Sequence, residues 1–210
     1  MRRLVESVTQ TRVLATLRRG ARLLVRSRTH LLYERLCDNA PFPSLGDGEQ
    51  ALILTHENLA LHQPLCGALV AMNRENADYL DDVRKDRVLG VVFTNDGRIV
   101  HHAFVFKRNR TVKLLGLPRT AALVGHAFTV DDYRGRGCQG RSLDVRAWVA
   151  GQAGFERMIA ETSPDNLASQ RGMEKGGMRL IGRIDLVVLL NCVVLRWRRP
   201  EGFAAFDLCL

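Results

Sequence analysis

The sequence is poor in aromatic residues and contains no long apolar run. Aromatic side chains make up 6% of the 210 residues. The longest apolar run, residues 186–195, is interrupted by Asn191 and is far shorter than the roughly 20 residues that a membrane-spanning helix needs. No continuous apolar stretch follows the N-terminal arginines, so a secretory signal peptide is not expected. These absences predict a soluble protein.

The five cysteines form no disulfide or metal-binding pattern. There is no C-x-x-C pair and no histidine at the offset of a zinc ligand, so we expect reduced thiols and no metal. Reduced thiols fit a cytoplasmic location. The mitochondrial matrix is an alternative, because the Arg-rich and acid-poor N-terminus is similar to a transit peptide. The cysteines are Cys37, Cys66, Cys138, Cys192 and Cys209.

The basic charge of the chain is concentrated at its N-terminus. Residues 1–36 hold nine arginines against Glu6 and Glu34, out of a formal net charge of +9. Apolar residues at mostly helical intervals predict a basic amphipathic helix over residues 3–36, interrupted near Gly20. We expect this helix to pack on the body, with peripheral contact to an anionic membrane as the alternative. Nucleic acid is disfavoured as a partner, because no aromatic residue precedes Tyr33.

A body with both strands and helices follows this extension. The Pro- and Gly-rich residues 41–48 predict a boundary between an extension and linker over residues 1–48 and a domain over residues 49–210. Two apolar segments around Asp96-Gly97 predict an antiparallel hairpin. Further strands are predicted over residues 51–55, 122–130, 157–162, 178–182 and 186–195, with helices over residues 57–86, 140–152 and 166–175. The pattern predicts an α+β domain.

A loop rich in glycine and arginine follows the strand predicted over residues 122–130. It reads Tyr-Arg-Gly-Arg-Gly-Cys-Gln-Gly over residues 133–140 and precedes a helix. Exposed N–H groups at a helix N-terminus favour a bound phosphate. The loop also matches the G-x-G-x-x-G pattern of dinucleotide sites, but that pattern follows its strand directly. Here residues 131–134 intervene, an antiparallel hairpin lies upstream and only 70 residues follow, so a dinucleotide site is disfavoured.

The loop and a later segment together resemble the GNAT superfamily of acyl-CoA-dependent N-acyltransferases. The loop resembles the pyrophosphate-binding loop of that superfamily. Residues 165–178, Asp-Asn-Leu-Ala-Ser-Gln-Arg-Gly-Met-Glu-Lys-Gly-Gly-Met, resemble its later segment, in which an Asn opens a helix and a Lys-x-Gly-aromatic sequence closes it. The resemblance covers roughly residues 51–190. It implies a three-layer α/β/α fold, whose mixed and mostly antiparallel sheet has two splayed parallel central strands that admit acetyl-CoA or another acyl-CoA.

The resemblance also implies which residues bind the acyl donor. Backbone groups of residues 128–130 would pair with the pantetheine amides, and N–H groups of residues 134–140 would hold the pyrophosphate. Asn166 and Ser169 match positions near the pantetheine arm and the thiol, although a helix N-cap is an equally ordinary role for Asn166. The implied donor-binding residues are Phe128, Thr129, Val130, Arg134, Gly135, Arg136, Gly137, Cys138, Gln139, Gly140, Asn166 and Ser169.

The catalytic residues do not match the family pattern. Met173 stands where many members have a tyrosine that protonates the departing thiolate, and a thioether cannot donate a proton. Glu161 is a candidate base, because burial makes a carboxylate a stronger base. His126 is a second candidate, because imidazole titrates near neutrality. It lies, however, on the opposite strand parity from Leu123 and Gly125, which occupy the usual positions of the family's base.

The implied function is transfer of an acyl group, most simply acetyl, from acyl-CoA to a primary amine by direct attack on the thioester. A catalytically silent acyl-CoA-binding protein is an alternative, because Met173 replaces the expected acid. A membrane-surface protein attached through residues 1–36 is another. The amine acceptor is not predicted, and a homodimer is left open.

Overall fold

The computed structural model describes residues 25–37, 41–190 and 192–208. The strands are β1 Val25–Leu36, β2 Glu49–Leu54, β3 Val88–Asn95, β4 Arg98–Phe106, β5 Ala121–Thr129, β6 Arg157–Thr162, β7 Arg179–Leu189, β8 Val193–Trp197 and β9 Phe206–Leu208. The helices are α1 Gln63–Met72, α2 Asn76–Arg84, α3 Arg110–Leu115, α4 Cys138–Gln152 and α5 Leu167–Lys175. Short 3-10 turns lie at Leu59–His62 and Asp131–Tyr133. None of the helices in these ranges is both long enough and apolar enough to cross a bilayer.

The described strands form one sheet that is covered by helices on both faces. Their order is β2-β3-β4-β5-β6-β1-β7-β8-β9. The β5–β6 pair is parallel, whereas the other pairs are antiparallel. Buried residues of α1 and α2 pack on one face of the sheet, and those of α4 and α5 pack on the other. This is the three-layer α/β/α arrangement that the sequence predicts.

Residues 25–36 form a strand in the middle of the sheet, and the helix predicted there is wrong. Tyr33 on β1 lies opposite Ala160 of β6 on one side and opposite Leu180 of β7 on the other. Leu32 and Tyr33 are almost fully buried. This segment therefore belongs to the sheet, although the predicted boundary at residue 48 places it in the extension. The rest of the predicted helix, up to residue 24, lies outside the described residues.

Buried charges on and near β1 are paired. The buried carboxylate of Glu34 accepts hydrogen bonds from Arg157 at 3.2 Å and from Arg179 at 3.1 Å. Arg35 donates to Asp144 of α4 at 2.7 Å and to the carbonyl of Gly176 at 3.0 Å. A buried charge is tolerated only when it is paired and hydrogen-bonded. These contacts explain how so basic a segment can lie inside a sheet.

The hairpin is observed as predicted, whereas the C-terminal strands differ from the prediction. Asp96 and Gly97 both have positive φ, at 49° and 74°, and connect β3 to β4. Beyond α5, one strand runs over Arg179–Leu189 where two were expected. The turn that follows begins at Leu190, which has a φ of 52°. Strand β7 continues as far as Leu189 because β1 pairs with it from Arg179 to Leu189.

Candidate functional site

Strands β5 and β6 are paired over only part of their length. Their parallel register ends at the pair Val124–Ala160. Beyond that pair, β5 stays with β4 and β6 stays with β1. The β5 register also shifts opposite the step from His102 to Phe104, where a bulge includes His126 at a φ of 51°. The two parallel strands therefore separate, which opens a gap in the sheet.

A cavity of about 510 Å³ lies between the separating strands and helices α4 and α5. Its wall includes both candidate bases, His126 and Glu161. It also includes Gln139, Asn166 and Ser169, all of which the sequence predicts to bind the donor. The structure thus brings residues from four separate elements to the edge of one cavity.

The glycine loop forms a second cavity beside the first. Gly135 and Gly137 have φ angles of 80° and 77°, and Gly137 is the N-cap of α4. Within the described part of the chain, none of the backbone N–H groups from residue 135 to residue 140 donates to a backbone carbonyl. This second cavity has a volume of about 440 Å³, and its wall shares Gln139 and Gly172 with the first. The loop and the gap are therefore two parts of one cleft.

No protein-family model matches the sequence, and no curated protein matches it. Among solved structures, a GNAT-family acetyltransferase from Colwellia psychrerythraea aligns with a TM-score of 0.52 at 15% identity, over 77% of this chain and 55% of that chain. A Drosophila protein aligns with a TM-score of 0.51 at 15% identity, over 87% of this chain and 57% of that chain. The chain has the GNAT fold. It spans little more than half the length of both structures.

Within this GNAT fold, only part of the predicted pantetheine contact is open. The N–H of Val130 donates to the carbonyl of Val100 at 3.1 Å, so it is not free for a ligand, contrary to the prediction. Backbone groups alternate sides along a strand. Phe128 therefore shares the side of Val130 and faces β4, where His102 is its partner. Thr129 alone of the three turns its backbone toward the gap.

The arginines of the loop have different roles. Arg141 is fixed by Glu49, with Nε 2.8 Å from Oε2, and its Nη1 donates to the carbonyl of Arg136 at 2.8 Å. Burial opposes ionisation of Glu49, but the hydrogen bonds from Arg141 and from the Gly46 N–H hold the pKa of its carboxyl below the ordinary value. Arg134 is exposed and contacts Asp131 at 2.8 Å. Arg141 therefore shapes the loop, whereas Arg134 lines its cavity and also donates from Nε to the carbonyl of Thr129 at 3.4 Å.

Cys138 and Arg136 of the glycine loop contribute side-chain contacts within it. The Cys138 thiol is buried, with Sγ 3.5 Å from Oε1 of Glu49. Burial, together with the charge of Glu49, raises the pKa of this thiol. The guanidinium of Arg136 lies 4.6 Å from the centre of the Tyr133 ring. The backbone N–H groups of both residues, together with the exposed guanidinium of Arg136, remain as donors to a phosphate.

Asn166 is a helix N-cap and also lies in the wall of the cavity. Its Oδ1 accepts a hydrogen bond from the N–H of Ser169 at 3.1 Å, so it is the N-cap of α5. Both residues also line the cavity in the gap. Met173, on the same helix, is buried in the cavity wall. The thioether therefore does lie beside the expected position of the thioester.

Glu161 is fixed by a residue that no motif indicated. His30 on β1 is hydrogen-bonded through Nδ1 to Oε2 of Glu161. Both side chains belong to the α1–α2 face of the sheet, because they share strand parity with buried residues of that core, Leu32 and Ile159. The carboxylate is partly exposed, at 30% of its side-chain surface. It is therefore held in place and still reachable from the cavity.

His126 lies on the same face as Glu161. Its ring centre is 4.3 Å from that of Tyr79 on α2. Its Nε2 atom is 3.5 Å from Oε2 of Glu75, the residue directly before α2. Burial lowers the pKa of His126, although the negative charges of Glu75 and Glu161 oppose the shift. The imidazole is therefore neutral near pH 7 and can accept a proton.

The adjacent histidines of β4 point to opposite faces, as their alternation predicts. His101 contacts Thr129 Oγ1 at 2.8 Å and lies beside Phe93 on the α4 side. His102 lies on the other face, 3.3 Å from the Asn76 amide. Burial is the main cause that lowers their pKa values, to about 3 for His101 and about 4 for His102. Both imidazoles are therefore neutral parts of the core.

Proposed function

We propose that this chain binds acyl-CoA in the gap between β5 and β6 and transfers its acyl group to a primary amine. The observation that carries the proposal is the continuity of the cleft. The glycine loop at the start of α4 opens into the cavity that contains Glu161, Asn166 and Met173. A phosphate site and a thioester site are thereby connected, as a long donor such as acyl-CoA requires. The GNAT fold supports the same reading.

The donor would be held mainly by backbone groups. The free N–H groups of residues 135–140 and the N-terminal dipole of α4 suit the pyrophosphate. Lys175 and Arg134 line the same cavity and supply positive charge. The backbone of Thr129 faces the gap and can pair with a pantetheine amide, while Asn166 and Ser169 lie farther along the cleft. A donor in this orientation directs its thioester toward the bulge at His126.

The chemistry would be direct attack of a neutral amine on the thioester carbonyl. A C–N bond forms, the C–S bond breaks and the CoA thiolate leaves. Glu161, held by His30, accepts the proton that the amine loses, directly or through one water. Met173 cannot protonate the thiolate, so solvent supplies that proton. Proximity in the cleft and polarisation of the carbonyl by backbone N–H groups would account for most of the acceleration.

The acceptor would enter from the face of the sheet that α1 and α2 cover. Glu161 and His126 both lie on that face, whereas the loop and α4 lie on the donor side. Glu75 and Tyr79 border His126 and give the entrance a negative charge next to an aromatic ring. A cationic amine suits such an entrance.

The test is incubation of the purified chain with a panel of acyl-CoA thioesters and a library of primary amines. Free thiol and acylated amine are measured together, by a colorimetric thiol reagent and by mass spectrometry. We expect equal amounts of both products, with Glu161→Gln as the inactive control. Absence of acyl-CoA binding in the same preparation would refute the proposal.

A catalytically silent acyl-CoA-binding protein is the second candidate, and Met173 is the observation that favours it. In that case acyl-CoA protects the chain against thermal unfolding, but no amine in the library causes thiol release above the hydrolysis rate. Met173→Tyr then gives a further distinction. It increases turnover if the missing acid limits an existing reaction, and it changes nothing if the chain has no activity.

A further inference from the structure

The cavity wall includes a buried cation that has no counter-ion in the described part of the chain. Arg146 on α4 is 2% exposed and lines the cavity in the gap together with Val124, Ala160 and Leu143. Its Nε donates to the carbonyl of Ser142 at 3.1 Å, but Nη2 has no hydrogen-bond partner. Burial lowers the pKa of Arg146 to about 9, which still leaves the guanidinium charged at neutral pH.

Two neighbouring polar atoms are also buried without a partner. They are Oγ of Ser142, one helical turn before Arg146, and Nε2 of His101 on β4. Burial, and after it the charge of Arg146, lowers the pKa of His101. A buried donor without an acceptor is costly. Nη2 of Arg146 is such a donor, and of these three residues Arg146 is the one that lines the cavity. It is therefore the group that an anion bound in the cavity would pair with.

The position of Arg146 indicates which substrate carries that anion. Arg146 belongs to α4, whose N-terminus forms the glycine loop, and it packs on the donor face of the sheet. The candidate bases Glu161 and His126 lie on the opposite face, from which the amine would enter. Arg146 lines the same cavity as Val124 and Ala160, which are the last pair in the parallel register of β5 and β6. An anion at this depth would be the far end of the acyl chain.

We propose that Arg146 binds the terminal carboxylate of a dicarboxylic acyl group, such as succinyl or malonyl, carried on CoA. This inference rests on the proposed acyl-CoA binding and specifies its substrate class. A carboxylate in a buried pocket is bound most strongly by a guanidinium, through charge-assisted hydrogen bonds. An acetyl group would leave the cation unpaired.

The test compares succinyl-CoA with butyryl-CoA, whose acyl chain has the same number of carbons but an uncharged end, by calorimetric titration. We expect the wild-type chain to bind succinyl-CoA at least about tenfold more tightly, as one charge-assisted hydrogen bond provides. In Arg146→Met this preference disappears, while CoA itself binds as before. Arg110→Met, at an exposed position on α3 that does not line the cavity, retains the preference. Arg146→Met removes a buried unpaired charge, so it does not lower the melting temperature.

Each of the other outcomes overturns the inference in a distinguishable way. Equal wild-type affinity for the two thioesters, or a preference that persists in Arg146→Met, refutes the carboxylate site and leaves the proposed function intact. If Arg146→Met changes only the kcat/KM for amines that carry a carboxylate, the anion belongs to the acceptor and the inference is wrong. If no CoA thioester binds to the wild-type chain, the proposed function itself fails.

Discussion

Nδ1 of His30 on β1 is hydrogen-bonded to Oε2 of Glu161 on β6, at the gap where β6 separates from β5. The residue directly opposite Glu161 in the register is Leu32, so His30 reaches the carboxylate diagonally along the strand. The N-terminal strand thus supplies a residue that holds the candidate base.

Glu161→Gln lowers kcat by about 10²- to 10⁴-fold, because an amide cannot accept the proton of the attacking amine. The KM for acyl-CoA changes little, since Glu161 lies on the face away from the loop. Steady-state kinetics with varied acyl-CoA measures both values. Glu156→Gln, an exposed change just before the same strand, is the control and retains activity. If Glu161→Gln is fully active and His126→Asn is not, His126 is the base. Asn is the substitution used at position 126 because it tolerates the positive φ of that residue.

Gly137→Ala weakens CoA binding by at least about tenfold. The residue has a φ of 77°, and an added Cβ would lie 3.0 Å from Nη1 of Arg141. Both effects displace the N–H groups at the start of α4, and the backbone cost is about 1 kcal/mol. Calorimetric titration with CoA measures the loss. Gly154→Ala, at the other end of α4, is the matched control: its φ is 86° and a Cβ there meets nothing within 4 Å. It has the same backbone strain but leaves CoA affinity unchanged.

Leu32→Ala lowers the free energy of unfolding by about 2–5 kcal/mol, the usual cost of truncating a buried leucine. Leu36→Ala changes it by less than about 0.5 kcal/mol, because Leu36 is 70% exposed. Chemical denaturation measures both. The residues are four positions apart and would share one face of a helix, so similar effects for the two variants would contradict the central position of β1.

Stability decreases as the pH falls from about 6.5 toward 4. Burial, with the charge of His126 second, lowers the pKa of His102 from 6.5 to about 4. The unfolded chain therefore binds a proton in this range that the folded chain does not, which costs up to about 1.4 kcal/mol per pH unit. His102→Gln keeps an acceptor for the Asn76 amide and gives a shallower decrease. Urea midpoints between pH 7 and pH 5 measure the slope. His62→Gln is the control, and an unchanged slope in His102→Gln would contradict the account.

Much of the fold downstream of residue 49 follows from local signals in the sequence. The Asp96-Gly97 turn, the glycine loop, the cap at Asn166 and the apolar spacing of α4 each determine their own structure locally. The GNAT resemblance adds the gap between β5 and β6, because it connects two segments that are distant in the chain.

The sequence predicts a helix over residues 25–36, where the structure has a strand, because helical spacing and two-residue alternation overlap in this segment. Its leucines and arginines fit helical spacing when read together with residues 3–24. The two-residue alternation of Val25, Ser27, Thr29, Leu31 and Tyr33 was the strand signal. Which signal prevails depends on pairing with β6 and β7, more than a hundred residues away, and no local pattern reports such pairing.

The buried cation and the fixed base could not be predicted for a related reason. Arg146 follows Leu143 and Val145 on a helix with several charged residues, where an arginine ordinarily faces solvent. Only the packing of α4 on β4 shows that this one is buried. The contact between His30 and Glu161 depends on the pairing of β1 with β6. In both cases the function depends on contacts between elements and not on a motif.

Hydrogen exchange measured with and without CoA shows whether CoA binds in the cleft formed by the glycine loop and the gap. We predict slower amide exchange over residues 129–140 and 160–173 when CoA is present, and unchanged exchange over β8 and β9. A separate cavity of about 740 Å³ is a basic groove whose lining includes Lys85, Arg87, Lys107, Arg108 and Arg119. Protection in that groove with none at the loop would contradict the account.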